Sequence, residues 1–272
     1  MYSPAMWISS VERFLPYLRE RRVRVVILIG MWQISGFQQN KRCGLNKFVE
    51  LMLANPWVVH VFMQNPELRH PDLTALPYGL LVDPVPAVNA WVDWAHPAKK
   101  QKTQVLFLSP MRFEDRAFRP DWWPHSAELA NQSSYFENLA RSQFVSSPGG
   151  DRYDCFRHWE SILFDAIPVS NLPACVWRPL FGESMVYKTS KSDMAAGMAA
   201  MQKWDVSRSP YQQPNKELLF TSYWRERIAD VAKGEKGVGV ILQTATARCT
   251  TCGPGLHSPR AYNYKASKGF QL

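Results

Sequence analysis

One segment of the chain combines a glycine turn with charged residues at helical spacing. A short apolar run, Phe144-Val145, ends in a Ser-Pro-Gly-Gly turn, and a helical pattern carrying Asp154, Arg157 and Glu160 follows. The order of strand, loop and helix puts the loop at the carboxyl end of a strand and the amino end of a helix. Backbone N–H groups and the helix dipole favour a phosphate group at such a place. The segment is therefore a candidate phosphate-binding site.

The helix after the turn adds charged side chains to the candidate site. Residues three and four apart share a helix face, so Asp154 and Arg157 lie on one polar stripe with Glu160 beside it. We expect Arg157 to add positive charge beside a pyrophosphate and Glu160 to accept hydrogen bonds from ribose hydroxyls. The loop residues expected at the pyrophosphate are Ser147, Pro148, Gly149 and Gly150. The alternative is an ordinary helix on which Arg157 and Glu160 form a surface ion pair.

Further side chains extend this candidate site. Arg112 and Arg116 follow the apolar run at 105–108, so they are expected to neutralise the diphosphate from the opposite side. The alternative for both is a basic loop in water. His158 is interpreted as a packing or surface histidine rather than a general base. Four tryptophans in loop-like sequence can stack on sugar rings, although filling gaps under loops is the commoner role: Trp91, Trp94, Trp122 and Trp123.

The formal net charge of +9 invites a nucleic-acid interpretation, so the distribution of the charge matters. Bases predominate from Lys233 onward, where Glu235 is the only acid. Elsewhere they are scattered, apart from short clusters within 19–24 and 99–102, and such clusters usually lie on solvated helix ends or loops. We therefore expect no nucleic-acid partner and interpret residues 233–272 as a basic, disordered tail.

The cysteines and the apolar runs indicate whether the protein is disulfide-rich, zinc-binding or membrane-spanning. The 5 cysteines are too widely spaced for a disulfide framework. Cys249 and Cys252 form a single CxxC with only His257 as a further zinc ligand, so a disordered tail is favoured over a zinc site. No run of about 20 apolar residues exists, so no transmembrane segment is expected. The first residues do not resemble a secretory signal either.

Apolar runs that alternate with helical patterns predict an α/β fold with parallel sheets. A segment at 83–102, rich in Pro, Ala and Lys, is predicted to cross between two domains, and only two clear strands precede it. The predicted strands are 23–29, 58–63, 105–108, 144–145, 167–169 and 185–187, and the predicted helices are 1–22, 46–53, 133–141, 154–164, 193–204 and 216–233.

Two phrases of the sequence resemble a known family. The second phrase, FVSSPGGDRYDCFRHWESILFDAIPV at 144–169, is similar to the nucleotide-sugar-binding block of exostosin-like glycosyltransferases, in particular members related to ribitol-xylosyltransferase. The first phrase, at 61–80, resembles another of that family's motifs through Phe62, Gln64-Asn65, His70-Pro71 and the Pro77–Leu80 segment. Two phrases in the right order are more specific than either alone.

The resemblance implies a GT-B-like fold of two Rossmann-like domains, here with a shortened amino-terminal one. The domains would be 1–90 on the acceptor side and 91–232 for the nucleotide sugar, followed by the tail at 233–272. It implies transfer of a sugar from a nucleoside-diphosphate sugar, UDP above all, to a hydroxyl of a glycan or glycoprotein, without a metal cofactor. Asp154 and His70 are the candidates for the base that activates this hydroxyl.

The chain also departs from the family pattern. The usual Gly-Asn-Gly is Gly149-Gly150-Asp151, which puts a negative side chain near the expected phosphate. This departure keeps a second hypothesis open, a catalytically degenerate relative that binds nucleotides or glycans. Relatives of this type work in the secretory pathway behind an anchor helix, and the chain shows none. The expected location is therefore a secretory lumen if an anchor belongs to the protein, and otherwise the cytoplasm.

Overall fold

The computed structural model describes residues 4–30, 49–66, 68–80, 85–95, 101–109, 132–149, 154–188, 196 and 215–234, with side chains described from residue 13 onward. Within these ranges the strands form two parallel sheets, one of three strands and one of four. The α/β class with parallel sheets, predicted from the alternating patterns, is confirmed. None of the helices in these ranges is long and apolar enough to cross a membrane.

The first sheet has its strands in chain order, and its central strand is the most deeply buried. The strands are β1 (Val25–Ile29), β2 (Val58–Gln64) and β3 (Leu73–Leu76). Apolar and β-branched residues dominate β1 and β2, which suits strands covered on both faces. Leu18 of helix α1 (Pro4–Arg21) and Met52 of the helical residues 49–53 pack on this sheet with Val61.

The second sheet has four parallel strands, also in chain order. They are β4 (Gln104–Phe107), β5 (Ser142–Ser146), β6 (Ile167–Ser170) and β7 (Val186–Tyr187). Every residue of β5 and β6 is buried. Because all four strands run in parallel, their carboxyl ends meet at one edge, and the loop that begins at Ser147 leaves the sheet at this edge.

Helices cover both sheets and join them. They are α2 (Val85–Trp94), α3 (Gln132–Arg141), α4 (Phe156–Leu163), α5 (Ala174–Phe181) and α6 (Thr221–Lys233), with a 3₁₀ turn at Lys216–Leu219. Ala75 of β3 belongs to the same hydrophobic cluster as Trp159 of α4 and Trp177 of α5. Helix α6 packs against β1 and β2 of the first sheet. The two sheets therefore share apolar contacts.

Several predictions for the first half of the chain were wrong. A third strand, β3, lies before the expected crossing segment, and Thr74 and Ala75 bury their side chains there. Residues 85–94 within the expected crossing segment form helix α2. Trp91 and Trp94 therefore lie on a helix and not in a loop, and Trp94 packs against Phe164. The spacing of Ala87, Trp91 and Trp94 is helical, and a proline in the first turn is tolerated.

Two predictions in the second half also need correction. Helix α4 begins at Phe156, so Asp154 and Cys155 precede it instead of lying on its face. The helix expected over 216–233 is divided, because Phe220 has extended backbone between the 3₁₀ turn and α6. Helix α5 was not predicted, since it is short, Pro173 precedes it and Pro179 lies inside it. The tail from 235 and the helix predicted at 193–204 lie outside the described residues, apart from residue 196.

Candidate functional site

The loop after β5 lies where the sequence predicted it, at the carboxyl edge of the second sheet. Ser147 N donates to the carbonyl oxygen of Val169 at 2.8 Å, which attaches the loop to β6. Gly149 N donates to Asn171 Oδ1 at 2.7 Å. Both amides are thus used within the protein, and Pro148 has none to offer. Gly150 lies outside the described residues, as do Arg112 and Arg116.

Serine side chains fill the same edge of the sheet. Ser109, beyond β4, donates its backbone N–H to Ser146 Oγ at 2.9 Å and its hydroxyl to the Ser146 carbonyl oxygen at 2.6 Å. Ser147 is fully buried, and its hydroxyl has no hydrogen-bond partner among the described residues. Buried hydroxyls without a partner are uncommon in folded proteins. The edge of the second sheet beside the loop is therefore polar, and the Ser147 hydroxyl is a hydrogen-bonding group that no described residue satisfies.

His158 connects the start of α4 to the end of β6. Its side chain is fully buried, and Nε2 lies 2.7 Å from Ser170 Oγ. Nδ1 lies 3.1 Å from the backbone nitrogen of Cys155, whose N–H points toward it. Three acceptors also face Nδ1: the Cys155 carbonyl oxygen at 3.2 Å, the Cys155 Sγ at 3.3 Å and Asp154 Oδ1 at 3.3 Å. This position fits the interpretation as a packing histidine, because the ring is enclosed by protein on both nitrogen atoms.

The same contacts couple the protonation of Cys155 and His158. Burial acts to lower the pKa of His158, but Cys155 and Asp154 outweigh it and raise this pKa to about 10. Burial acts to raise the pKa of Cys155, but His158 and Arg157 outweigh it and the pKa is lowered. A thiolate next to an imidazolium is the arrangement that both directions favour. The thiolate and the imidazolium therefore offset each other's charge at the start of α4.

Glu160 of α4 is turned into the protein and not toward bulk water. It is 7% exposed, and its Oε2 accepts a hydrogen bond from the Tyr135 hydroxyl of α3 at 2.6 Å. Burial raises the pKa of Glu160, while the Tyr135 hydroxyl and the nearby Arg157 charge oppose the rise. A carboxylate accepts several hydrogen bonds, so the contact with Tyr135 leaves acceptor capacity for a ligand. Arg157 itself is half-buried.

Tyr135 is a site residue that sequence reasoning missed. It precedes Glu160 by 25 positions and lies on a different helix. Burial raises its pKa well above the usual range, and the neighbouring Glu160 adds to the rise while Arg157 opposes it. The hydroxyl is therefore a fixed donor that orients the Glu160 carboxylate. Its position in a polar helix just before β5 was the one available signal.

Asp154 joins the two sheets. Its Oδ2 accepts the backbone N–H of Tyr78 at 2.6 Å, and the indole N–H of Trp159 lies 2.8 Å from its Oδ1. Its own N–H donates to Asn65 Oδ1 at 2.7 Å. Asn65 and Tyr78 both follow strands of the first sheet, and Asp154 is 1% exposed. The carboxylate is thus enclosed and bound by protein donors.

His70 lies in another part of the molecule. It lines a groove formed by the loop after β2, strand β3 and helices α5 and α6, and its Nδ1 accepts the Asp72 N–H at 3.1 Å. None of the groove residues belongs to the 147–160 segment. His70 and Asp154, the two residues predicted as candidate bases, therefore do not line the same groove.

The described residues contain no group of three or more His, Cys, Asp or Glu side chains that could hold a metal ion. Cys249, Cys252, His257, Trp122 and Trp123 lie outside those residues. No protein-family model matches the chain, and no curated protein matches it. The resemblance to exostosin-like enzymes therefore depends on the two phrases themselves.

Proposed function

We propose that the chain is a glycosyltransferase of the exostosin-like type, which binds a nucleoside-diphosphate sugar, UDP-sugar above all, and transfers the sugar to a glycan hydroxyl. In this proposal the fold is GT-B-like, and the donor lies at the carboxyl edge of the second sheet. The observation that carries the proposal is the inward position of Glu160, whose carboxylate is oriented by Tyr135 beside Arg157 at the start of a helix that follows the Ser147–Gly149 loop.

Contacts between the two family-like phrases support the proposal. Asn65 and Tyr78 of the first phrase are hydrogen-bonded to Asp154 of the second at separations of 89 and 76 residues. The Tyr78 ring also lies 4.6 Å from the Phe156 ring, measured between centroids. Two phrases that resemble one family are expected to lie together if they form one site. The contact between the two phrases supports this expectation.

Each charged residue has a definite task in this proposal. Arg157, with Arg112 and Arg116, would stabilise the negative charge that develops on the leaving diphosphate. Glu160 would accept hydrogen bonds from the ribose hydroxyls, with Tyr135 fixing its orientation. Asp154 is assigned a structural role, which is to hold the two sheets together. Its oxygen atoms already accept protein N–H groups.

The donor part can be tested by calorimetric titration of UDP. Wild type should bind, and Glu160→Gln and Arg157→Gln should each weaken binding at least about tenfold, because hydrogen bonds to charged groups contribute about 1.5–3 kcal/mol. Matched controls are Glu137→Gln and Arg141→Gln on α3, whose side chains are 56% and 58% exposed and form a surface pair. Equal binding by wild type and Glu160→Gln, or binding by neither, contradicts the proposal.

A second candidate is a catalytically degenerate relative that binds a nucleotide or a glycan without turnover. The observation that favours it is the enclosure of Asp154, since this candidate base is already bound by protein donors, and Glu160 is assigned to the ribose. Release of UDP from a panel of UDP-sugars with a glycan acceptor separates the two candidates. Release above background that Arg157→Gln abolishes supports the enzyme, and UDP binding without release supports the degenerate relative.

A further inference from the structure

A groove separate from the candidate donor site lies between the first sheet and two helices of the second half. Its floor and one wall come from the segment at 66–75, and the opposite wall comes from α5 and α6. The groove encloses about 550 Å³, counting the space at its mouth that is open to solvent. Leu68, Leu73, Val176 and Leu180 supply apolar surface.

Basic side chains converge on this apolar groove. Arg69, His70 and Arg227 all line it, and no carboxylate does so among the described residues. Among the described residues of this loop the acid is Asp72, whose Oδ2 lies 3.8 Å from His70 Nδ1 and whose side chain is 54% exposed. The lining is therefore apolar with a positive charge. Such a surface favours an anion that also has an apolar body.

Arg227 of α6 has an unused donor at this place. Its Nη1 donates to the Tyr223 hydroxyl at 3.1 Å, and its guanidinium carbon lies 5.8 Å from the centroid of the Tyr223 ring. These contacts hold one side of the guanidinium. Its Nε is buried and has no hydrogen-bond partner among the described residues. The Nε–Nη2 edge is the side of an arginine that binds a carboxylate or phosphate through two parallel hydrogen bonds.

The charges also act on the sheet beneath the groove. His60 of β2 is buried and hydrogen-bonded through Nε2 to Thr74 Oγ1 at 2.8 Å. Burial lowers the pKa of His60 to about 4, Arg227 and His70 contribute to the fall, and Asp72 opposes it. His60 therefore lies within electrostatic range of two cations that line the groove, Arg227 and His70.

We propose that this groove binds a small organic anion, in which an apolar body lies against the leucines and a carboxylate or phosphate group meets Arg227. The proposal does not depend on the glycosyltransferase assignment, because no groove residue belongs to the 147–160 segment. The ligand would bridge a sheet of the first half and a helix of the second. Occupancy is therefore expected to stabilise the contact between α6 and the first sheet.

The test uses the full chain and saturation-transfer NMR with phenyl phosphate, benzoate and the neutral control benzyl alcohol. We expect binding of at least one anion and much weaker binding of the alcohol. Arg227→Gln should weaken anion binding about tenfold or more, while Arg225→Gln, at an exposed position on the same helix, should leave it unchanged. Failure of both anions to bind, or equal binding by Arg227→Gln and wild type, overturns the proposal.

Two further measurements test how and where the anion binds. Arg227→Lys keeps a positive charge but loses the two-donor edge, so it should bind more weakly than wild type even if Arg227→Gln fails to fold. Retention of full affinity by Arg227→Lys contradicts the proposed geometry. Excess UDP should leave phenyl phosphate bound, and displacement by UDP would mean that the anion occupies the donor site, which also overturns the proposal. A protein that binds phenyl phosphate but not UDP would overturn the donor assignment alone.

Discussion

Asp154 is expected to be among the most sensitive positions of the chain, because its carboxylate binds donors from both halves. In Asp154→Ala the Tyr78 N–H and the Trp159 indole N–H lose acceptors that lie 2.6 Å and 2.8 Å away. A buried donor without a partner costs about 1–3 kcal/mol, so the two together give a loss of about 4 kcal/mol. Domains of ordinary stability have about 5–15 kcal/mol in total, so this loss is large.

Urea unfolding followed by tryptophan fluorescence measures the loss. Asp93→Ala, at an exposed position on α2, is the control and should change the free energy of unfolding by less than about 0.5 kcal/mol. If Asp154→Ala differs from that control by less than about 1 kcal/mol, the assignment of Asp154 as the residue that joins the two sheets is refuted.

Asn65 tests the other hydrogen bond of this contact, since its φ is +53° and its Oδ1 accepts the Asp154 N–H. Asn65→Gly should lose only the hydrogen bond, and Asn65→Ala should lose about 1 kcal/mol more because alanine is strained at positive φ.

Two titrations test the electrostatics. Burial lowers the pKa of His60 to about 4 from 6.5, so between these values the unfolded chain takes up a proton that the folded chain does not, and stability is lost as the pH falls. Between pH 7 and about pH 4.5 wild type should lose about 2 kcal/mol more than His60→Gln in urea unfolding, and parallel losses would contradict this. For Cys155, the midpoint of iodoacetamide labelling, followed by peptide-resolved mass spectrometry, should lie below the ordinary pKa of 9.0 and rise in His158→Gln, which removes the imidazolium that outweighs burial. An unchanged midpoint would count against the thiolate–imidazolium pair.

Local patterns were sufficient to predict the sheets but not their small elements. The runs at β1 and β2 are continuous and apolar, so their strands could be read directly, and the glycine turn after Val145 fixed the start of the loop. Strand β3 has four residues between Pro71 and Pro77, too few for a clear pattern. Helix α2 was missed because the composition of its segment suggested a linker while the spacing of its apolar residues was helical.

The candidate site could be predicted only as far as its partners were close in sequence. Arg157 and Glu160 share one helix, so their proximity follows from their spacing in the sequence. The partner of Glu160, Tyr135, lies on another helix, and nothing local identifies a contact over 25 residues. The partners of Asp154 are still farther away in the sequence, and contact with them depends on how the two sheets pack together. Such contacts depend on the tertiary structure and produce no periodic pattern in the sequence.

The geometry of Asp154 also changes how the second phrase is interpreted. The family resemblance made Asp154 a candidate for the base, yet the indole N–H of Trp159 and the backbone N–H of Tyr78 bind its carboxylate. An acid and a tryptophan at this spacing can therefore serve to join two sheets. If donor binding depends on Arg157 and Glu160, then Asp154 should affect it only through the position of α4. Asp154→Asn keeps an acceptor oxygen for one of the two donors, so it should retain more UDP affinity than Glu160→Gln while being less stable. If Asp154→Asn instead loses more UDP affinity than Glu160→Gln, the result supports a direct role of Asp154 in the reaction.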